Sequence, residues 1–169
     1  MLKIGLISDT HSYLDPLVFE YFKAVDEIWH LGDVGDVKLI HQLRAFKLLR
    51  GVYGNIDDIQ VRAEFPLDQR FTIDGIEFWL RHIGGYPGSY DSRVRDILQV
   101  KPPDVFICGH SHVLKVMRDK KYNNMLCINP GAAGIHGFHR MKTLMRFEIN
   151  RGSLQNLEVI ELGLRGKIS

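Results

Sequence analysis

Along the 169-residue chain, short apolar runs that stop at glycine or at polar residues alternate with stretches whose apolar positions recur at helical spacing. Leu2 to Ser8 predicts a first, central strand. Asp15-Pro16 opens a helix running to about Ala24, since proline suits a first turn. Ile28, Trp29 and Leu31 predict a second strand that stops at Gly32. From Asp36 to Phe46 the apolar residues Val37, Leu39, Ile40, Leu43 and Phe46 share one helical face, with His41 off it in solvent. Lys47 to Tyr53 reads as a third strand. Arg70 to Ile73 and Ile76 to Ile83, joined at Asp74-Gly75, read as an antiparallel pair. Gly84-Gly85-Tyr86-Pro87-Gly88 is too rich in glycine for regular structure and predicts a mobile loop. Ser92 to Val100 is helical up to the break at Pro102-Pro103, and Asp104 to Cys108 is a buried strand. Val113 to Leu162 reads as hairpins turning at Asn123-Asn124 and Asn150-Arg151-Gly152, with a tight turn at Asn129-Pro130-Gly131. The class is α/β.

The polar residues that end these strands are of a narrow kind. Asp33 follows Gly32 where a buried strand meets solvent, the place where α/β enzymes put their chemistry. A carboxylate there stays ionised only beside positive charge, because desolvation disfavours the charged form. Few basic side chains stand near it in sequence, so a metal ion is the better partner, although Gly-Asp alone fits a helix cap equally well. Asp9-Thr10-His11 offers one oxygen and one imidazole at the end of the first strand. Asn55 follows the third strand, where an ordinary turn residue is the competing reading. His82 ends the strand after Asp74-Gly75, and Gly109-His110-Ser111-His112 follows the Cys108 strand. Neutral histidine is the commonest metal ligand. Asp9, His11, Asp33, Asn55, His82, His110 and His112 are too many for one tetrahedral ion, and suit two ions sharing a carboxylate. His136 and His139 lack ligand spacing to anything and read as surface or loop histidines.

Composition narrows the setting. The length suits a single domain, 1–169, able to bury roughly 70% of its unfolded surface. A net charge of +2 is spread along the chain without a basic block, which disfavours nucleic acid as an obligate partner. The N-terminal apolar run is too short for a signal peptide, and no run approaches the roughly 20 residues of a membrane span. Cys108 and Cys127 both fall in expected buried strands, where a free thiol behaves as a small hydrophobe and a disulfide, though possible, is unneeded in a reducing compartment. Together these predict a cytoplasmic protein with no membrane partner. A homo-oligomer is compatible with the sequence.

The ordered motifs resemble the calcineurin-like metallophosphoesterases, whose signature runs D-x-H, G-D, G-N-x-D/E, H and G-H-x-H. Here it reads Asp9-Thr10-His11, Gly32-Asp33, Gly54-Asn55-Ile56-Asp57, His82 and Gly109-His110-Ser111-His112. The short chain is most similar to the small YfcE-like phosphodiesterases. The resemblance implies two mixed β-sheets packed as a sandwich flanked by helices. It also implies that Asp9, His11, Asp33 and His112 hold one divalent ion and Asp33, Asn55, His82 and His110 the other, with Asp33 the bridge. Manganese is the first expectation, with nickel, zinc or iron as alternatives. The activity so implied is hydrolysis of a small phosphodiester by a hydroxide shared between ions about 3.5–4 Å apart, with Asp33, Asn55 and His82 at the reacting centre. A scaffold without catalysis, like the retromer subunit of this fold, is the alternative, as is a phosphomonoesterase or nuclease.

Two residues depart from the family pattern. Ile56 stands where family phosphomonoesterases carry a histidine able to protonate the leaving group, and its side chain leaves a diester's second ester group an apolar neighbour. His82-Ile83-Gly84-Gly85 replaces the family's His-Gly. The glycine-rich loop after His82 predicts Tyr86 and Arg81 as substrate contacts, with Asn55 a third.

Overall fold

The computed structural model describes residues 1–166. In chain order the elements are β1 (Leu2–Ile7), α1 (Leu17–Tyr21), β2 (Glu27–His30), α2 (Val37–Phe46), β3 (Leu48–Gly51), α3 (Ile59–Glu64), β4 (Asp68–Ile73), β5 (Ile76–Arg81), β6 (Gly85–Tyr86), β7 (Ser89–Tyr90), α4 (Ser92–Val100), β8 (Val105–Ile107), β9 (Lys115–Asp119), β10 (Met125–Asn129), β11 (Met141–Asn150) and β12 (Ser153–Leu164). One sheet has the order β12-β11-β1-β2-β3 and the other β4-β5-β8-β10-β9. Both are mixed: β1, β2 and β3 run parallel, as do β5, β8 and β10, and the remaining pairings are antiparallel.

Side-chain alternation along the strands decides the layering. Ile4, Leu6, Trp29 and Phe147 of the first sheet meet Phe78, Leu80, Ile107 and Ile128 of the second in one buried layer. Trp29 stands edge-on to Phe71 and Phe78, each with ring centroids 5.1 Å away. The other face of the first sheet, through Ile7, Ile28, Leu144 and Ile160, packs on Val18, Phe22, Ile40, Leu43 and Val61 from the first three helical regions. Val94 and Leu98 of α4 cover Trp79, Phe106 and Cys127 on the far face of the second sheet. The result is the expected sandwich flanked by helices.

Local expectations failed in four places. The helix after Asp15-Pro16 is only Leu17–Tyr21, with Asp15 Oδ1 accepting from the Leu17 amide. The third strand is Leu48–Gly51, shorter at both ends than expected. Helix α3 has no counterpart in the sequence reading, because it buries Val61 alone and so shows no apolar stripe; Asp58 caps it by accepting from the Gln60 and Val61 amides. The glycine-rich segment after His82 is no irregular loop but a small hairpin, β6 paired with β7. Tyr90 anchors it, donating its hydroxyl to Asp119 Oδ2 at 2.6 Å. Helix α4, by contrast, has the bounds read from the sequence.

Candidate metal centre

Helix α2 is capped by Asp36, whose Oδ1 accepts from the Lys38 amide. That frees Asp33 from the capping role. Asp9 and His11 follow β1, Asp33 follows β2, Asn55 follows β3, His82 follows β5, and His110 and His112 follow β8, all at carboxyl ends of parallel strands. Asp9, His11, Asp33 and His112 can point one ligand atom each into a space no more than 4.8 Å across, and Asp33, His82 and His110 do the same beside it. Asn55 Oδ1 lies 3.2 Å from His82 Nε2, which places it with the second group. Asp33 belongs to both.

The backbone at these turns is unusual. Asp9, His11, Asp33, His110 and His112 all have positive φ, between 44° and 70°. Such conformations cost roughly 1–3 kcal/mol per non-glycine residue and persist where surroundings over-determine them, commonly at functional sites. Two glycines make the close approach achievable. A Cβ on Gly54 would overlap the Asp33 carboxylate, and one on Gly32, where φ is +96°, would sit 2.6 Å from His82 Nδ1.

Hydrogen bonds fix each ligand's orientation. The Ile56 amide donates to Asp33 Oδ1 at 3.1 Å, leaving Oδ2 3.2 Å from His82 Nε2 and 3.5 Å from His11 Nε2. Asp9 Oδ2 accepts from Ser8 Oγ and from the His110 amide. His82 lies 2.6 Å through Nδ1 from the Leu31 carbonyl, so Nδ1 carries a proton and donates, and Nε2 faces Asp33 and Asn55. Burial lowers the His82 imidazole's affinity for a proton, but the Asp33 hydrogen bond and the Asp9 and Asp33 charges raise it above the ordinary value. For Asp33 burial works upward, and the His82 contact nevertheless holds the carboxyl below its usual range. His11 is lowered, burial outweighing the attraction of Asp33 and Asp9.

The donor set fits divalent ions. Asp9 Oδ1 and His11 Nε2 are buried without a hydrogen-bond partner among the described residues, and both belong to the first group. His112 Nε2 is 3.2 Å from Asp9 Oδ1 but out of line for a hydrogen bond. Buried polar atoms that face one another without a hydrogen bond are costly, and a divalent cation between them would satisfy both.

Two histidines read from sequence as surface or loop residues belong to this neighbourhood. His136 is exposed, yet its ring lies 4.7 Å from that of His11, and His139 stands edge-on to His112 at 5.2 Å. Both line a cleft of about 410 Å³ with His11, Asp33, Asn55, His110 and His112. Two glycines three apart, Gly134 and Gly137, with His136 directly before the second and His139 two residues after it, were the available signal. Arg81 is buried and donates to Asp68 Oδ2 at 2.9 Å; it borders a hollow of about 70 Å³ shared with Asn55 and His82. Tyr86 is 41% exposed, with Lys115 Nζ 3.4 Å above its ring, and does not line the larger cleft.

The ligand geometry and the sandwich define a metallophosphoesterase-like centre, and residues 2–152 match the family described as the calcineurin-like phosphoesterase superfamily domain. The chain belongs to that superfamily. It is similar to a protein named "Probable metallophosphoesterase" from Methanothermobacter thermautotrophicus, 30% identical over 134 residues and covering 76% of each chain. A relative of the same description from Methanocaldococcus jannaschii is 31% identical over 135 residues, covering 76% of this chain and 67% of its own. Among solved structures, one titled as a novel archaeal phosphodiesterase superposes with a TM-score of 0.72 at 22% identity, covering 95% of this chain and all of the other. Vps29 from Chaetomium thermophilum gives 0.73 at 18% identity over 96% and 97%. Vps29 from Entamoeba histolytica, complexed with zinc, gives 0.70 at 20% over 95% and 99%. At these identities the structures speak to the fold. Family and ligand cluster together make the protein a metal-dependent phosphoesterase by class.

Proposed function

We propose that the protein is a dinuclear phosphodiesterase acting on a small phosphodiester. The observation carrying this reading is the pair of ligand groups sharing Asp33, one of them with two orphaned buried ligand atoms. Asp9, His11, Asp33 and His112 would hold one ion, and Asp33, Asn55, His82 and His110 the other. When bound, the ions supply Lewis acidity, neutralising phosphoryl oxygens and acidifying the attacking water. Manganese is the first choice, because mixed imidazole, carboxylate and amide-oxygen ligands suit it; nickel, zinc and iron suit the same set.

The chain's own residues hold this arrangement rigid. Asp33 is fixed through Oδ1 by the Ile56 amide, which keeps Oδ2 between the two groups. His82 is fixed by Leu31 and presents Nε2. Asn55 presents Oδ1 toward His82, so its amide N–H is available to a phosphoryl oxygen. Water oxygen bonds to phosphorus as the bond to one ester oxygen breaks, giving a monoester and an alcohol. The alcohol takes its proton from solvent, since Ile56 cannot supply one. Arg81 and Tyr86 are proposed outer contacts on position alone.

A non-catalytic scaffold is the second reading, favoured by the likeness to Vps29 structures. The full ligand set supports the enzyme. The two free buried cysteines support a cytoplasmic setting, and among the described residues no helix is long and apolar enough to cross a membrane. Assaying purified protein on bis(p-nitrophenyl) phosphate with each of the four metals, with and without chelator, tests the reading. Metal-dependent release of p-nitrophenol supports it, and none with any metal favours the scaffold.

A further inference from the structure

The mouth of the ligand cleft is apolar. Phe138 is fully exposed, at 103% of its reference surface, and Val113 and Ile56 are 53% and 46% exposed. All three line the same cleft as His11, Asp33, Asn55, His110 and His112. Single exposed apolar residues are ordinary. Three lining one cleft with the candidate metal ligands, on segments as distant in sequence as 56, 113 and 138, give that cleft an apolar rim.

The charge of the lining points to what such a rim would meet. No lysine or arginine is among the described residues that line the cleft. Two divalent ions set against the Asp9 and Asp33 carboxylates and an attacking hydroxide leave a single net positive charge. A monoester dianion or a polyphosphate exceeds it, and neither finds a basic side chain in the lining to take up the excess. A diester brings one negative charge and a second ester substituent, and that substituent must lie beside the phosphorus, within reach of the cleft wall. An aromatic substituent could stack on Phe138 and cover Val113 and Ile56, whereas a methyl group would leave the phenyl ring in water.

We propose that Phe138, Val113 and Ile56 form a subsite for an aromatic ester substituent, so that the preferred substrate class is a monoanionic phosphodiester carrying one aromatic group that is not the leaving group. The inference rests on the phosphodiesterase reading, and it adds the side of the substrate that does not react.

Phenyl p-nitrophenyl phosphate and methyl p-nitrophenyl phosphate test it, because both release p-nitrophenolate and differ in the retained group. The ratio of their kcat/KM values, compared between wild type and Phe138→Ala, cancels their intrinsic difference in reactivity. The expected result is a roughly five- to tenfold fall of the phenyl-to-methyl ratio in Phe138→Ala, the scale of losing an aromatic stacking partner, with Phe138→Trp retaining the wild-type ratio. An unchanged ratio in Phe138→Ala overturns the subsite. Because Phe138 is wholly exposed, its replacement removes no packing from the core. Calorimetric titration of the metal-loaded protein with diphenyl phosphate and dimethyl phosphate separates the two readings. If neither ester is hydrolysed but diphenyl phosphate binds more tightly, and does so only with Phe138 present, the subsite stands and the catalytic reading falls. If hydrolysis proceeds with no Phe138-dependent preference in rate or binding, the subsite alone falls.

Discussion

The imidazole of His30 and the hydroxyl of Thr10 lie 3.0 Å apart in the buried space between the first two ligand loops. The Gly32 amide donates to His30 Nδ1, so His30 Nε2 carries the proton and donates to Thr10, whose hydroxyl donates onward to the Val34 carbonyl. This neutral chain ties the loop holding Asp9 and His11 to the loop holding Asp33. Burial pushes the His30 imidazole down to about 3. A histidine depressed in the folded state stabilises the fold above its unfolded value of about 6.5, and that contribution is lost as pH falls from there toward about 3. Urea unfolding of metal-stripped protein between pH 7 and pH 4 is expected to show stability falling, with up to about 1.4 kcal/mol per pH unit from this group. His30→Gln should flatten that slope while weakening metal binding. An unchanged slope in the variant would count against the assignment.

Gly54→Ala places a methyl group on the Asp33 carboxylate. Because the methyl also overlaps the Asp33 backbone nitrogen, the whole residue must shift, and a displacement near 1 Å at a reacting centre costs about 10²-fold in rate. Metal-dependent phosphoesterase activity should fall by about that factor with the far-ultraviolet circular dichroism unchanged.

Asp33→Ala should cost more than loss of any other ligand, about 10³-fold or beyond in kcat/KM, because several kcal/mol of charge stabilisation depends on both ions being held. Parallel assays of Asp9→Ala, His82→Ala and Asp33→Ala check the ranking. Equal losses in all three would mean that Asp33 is not shared.

Much of this centre could be read before any coordinates, because strand ends and ligand types are local properties. Asp33 after Gly32 and the pair His110 and His112 after Gly109 announce themselves by residue type. Helices α2 and α4 were legible because each buries one stripe against a sheet, as Leu39, Ile40 and Leu43 do in α2. What escaped depends on tertiary placement. His136 and His139 reach the cleft only because the segment before β11 runs back along the first ligand loop, where the Gly134 amide donates to the Asp9 carbonyl. Helix α3 escaped because Ile59 is 83% exposed and Val61 alone is buried. The positive φ shared by five candidate ligand residues has no signature in their identities, since histidine and aspartate hold it under constraint from their neighbours.

With Ile56 where a general acid would stand, the rate is expected to depend on the leaving group. A positioned general acid contributes roughly 10²–10⁴-fold, most with a poor leaving alkoxide. Wild-type protein should therefore turn over bis(p-nitrophenyl) phosphate well and alkyl phosphomonoesters slowly. Ile56→His should raise monoester activity, if Asp57, which already accepts from the Gly54 and Gly35 amides, can orient the new imidazole. Faster wild-type kcat/KM on an alkyl monoester, with the same metal and pH, would contradict this.

Two candidate ligand groups meet at Asp33, and a count of bound ions decides whether the centre is dinuclear. Anomalous scattering from crystals of manganese-loaded protein, with elemental analysis of the same preparation, should show two ions per chain, one beside Asp9, His11 and His112 and one beside Asn55, His82 and His110, with Asp33 touching both. A single ion, or none, in fully loaded protein would mean that Asp33 does not bridge two sites.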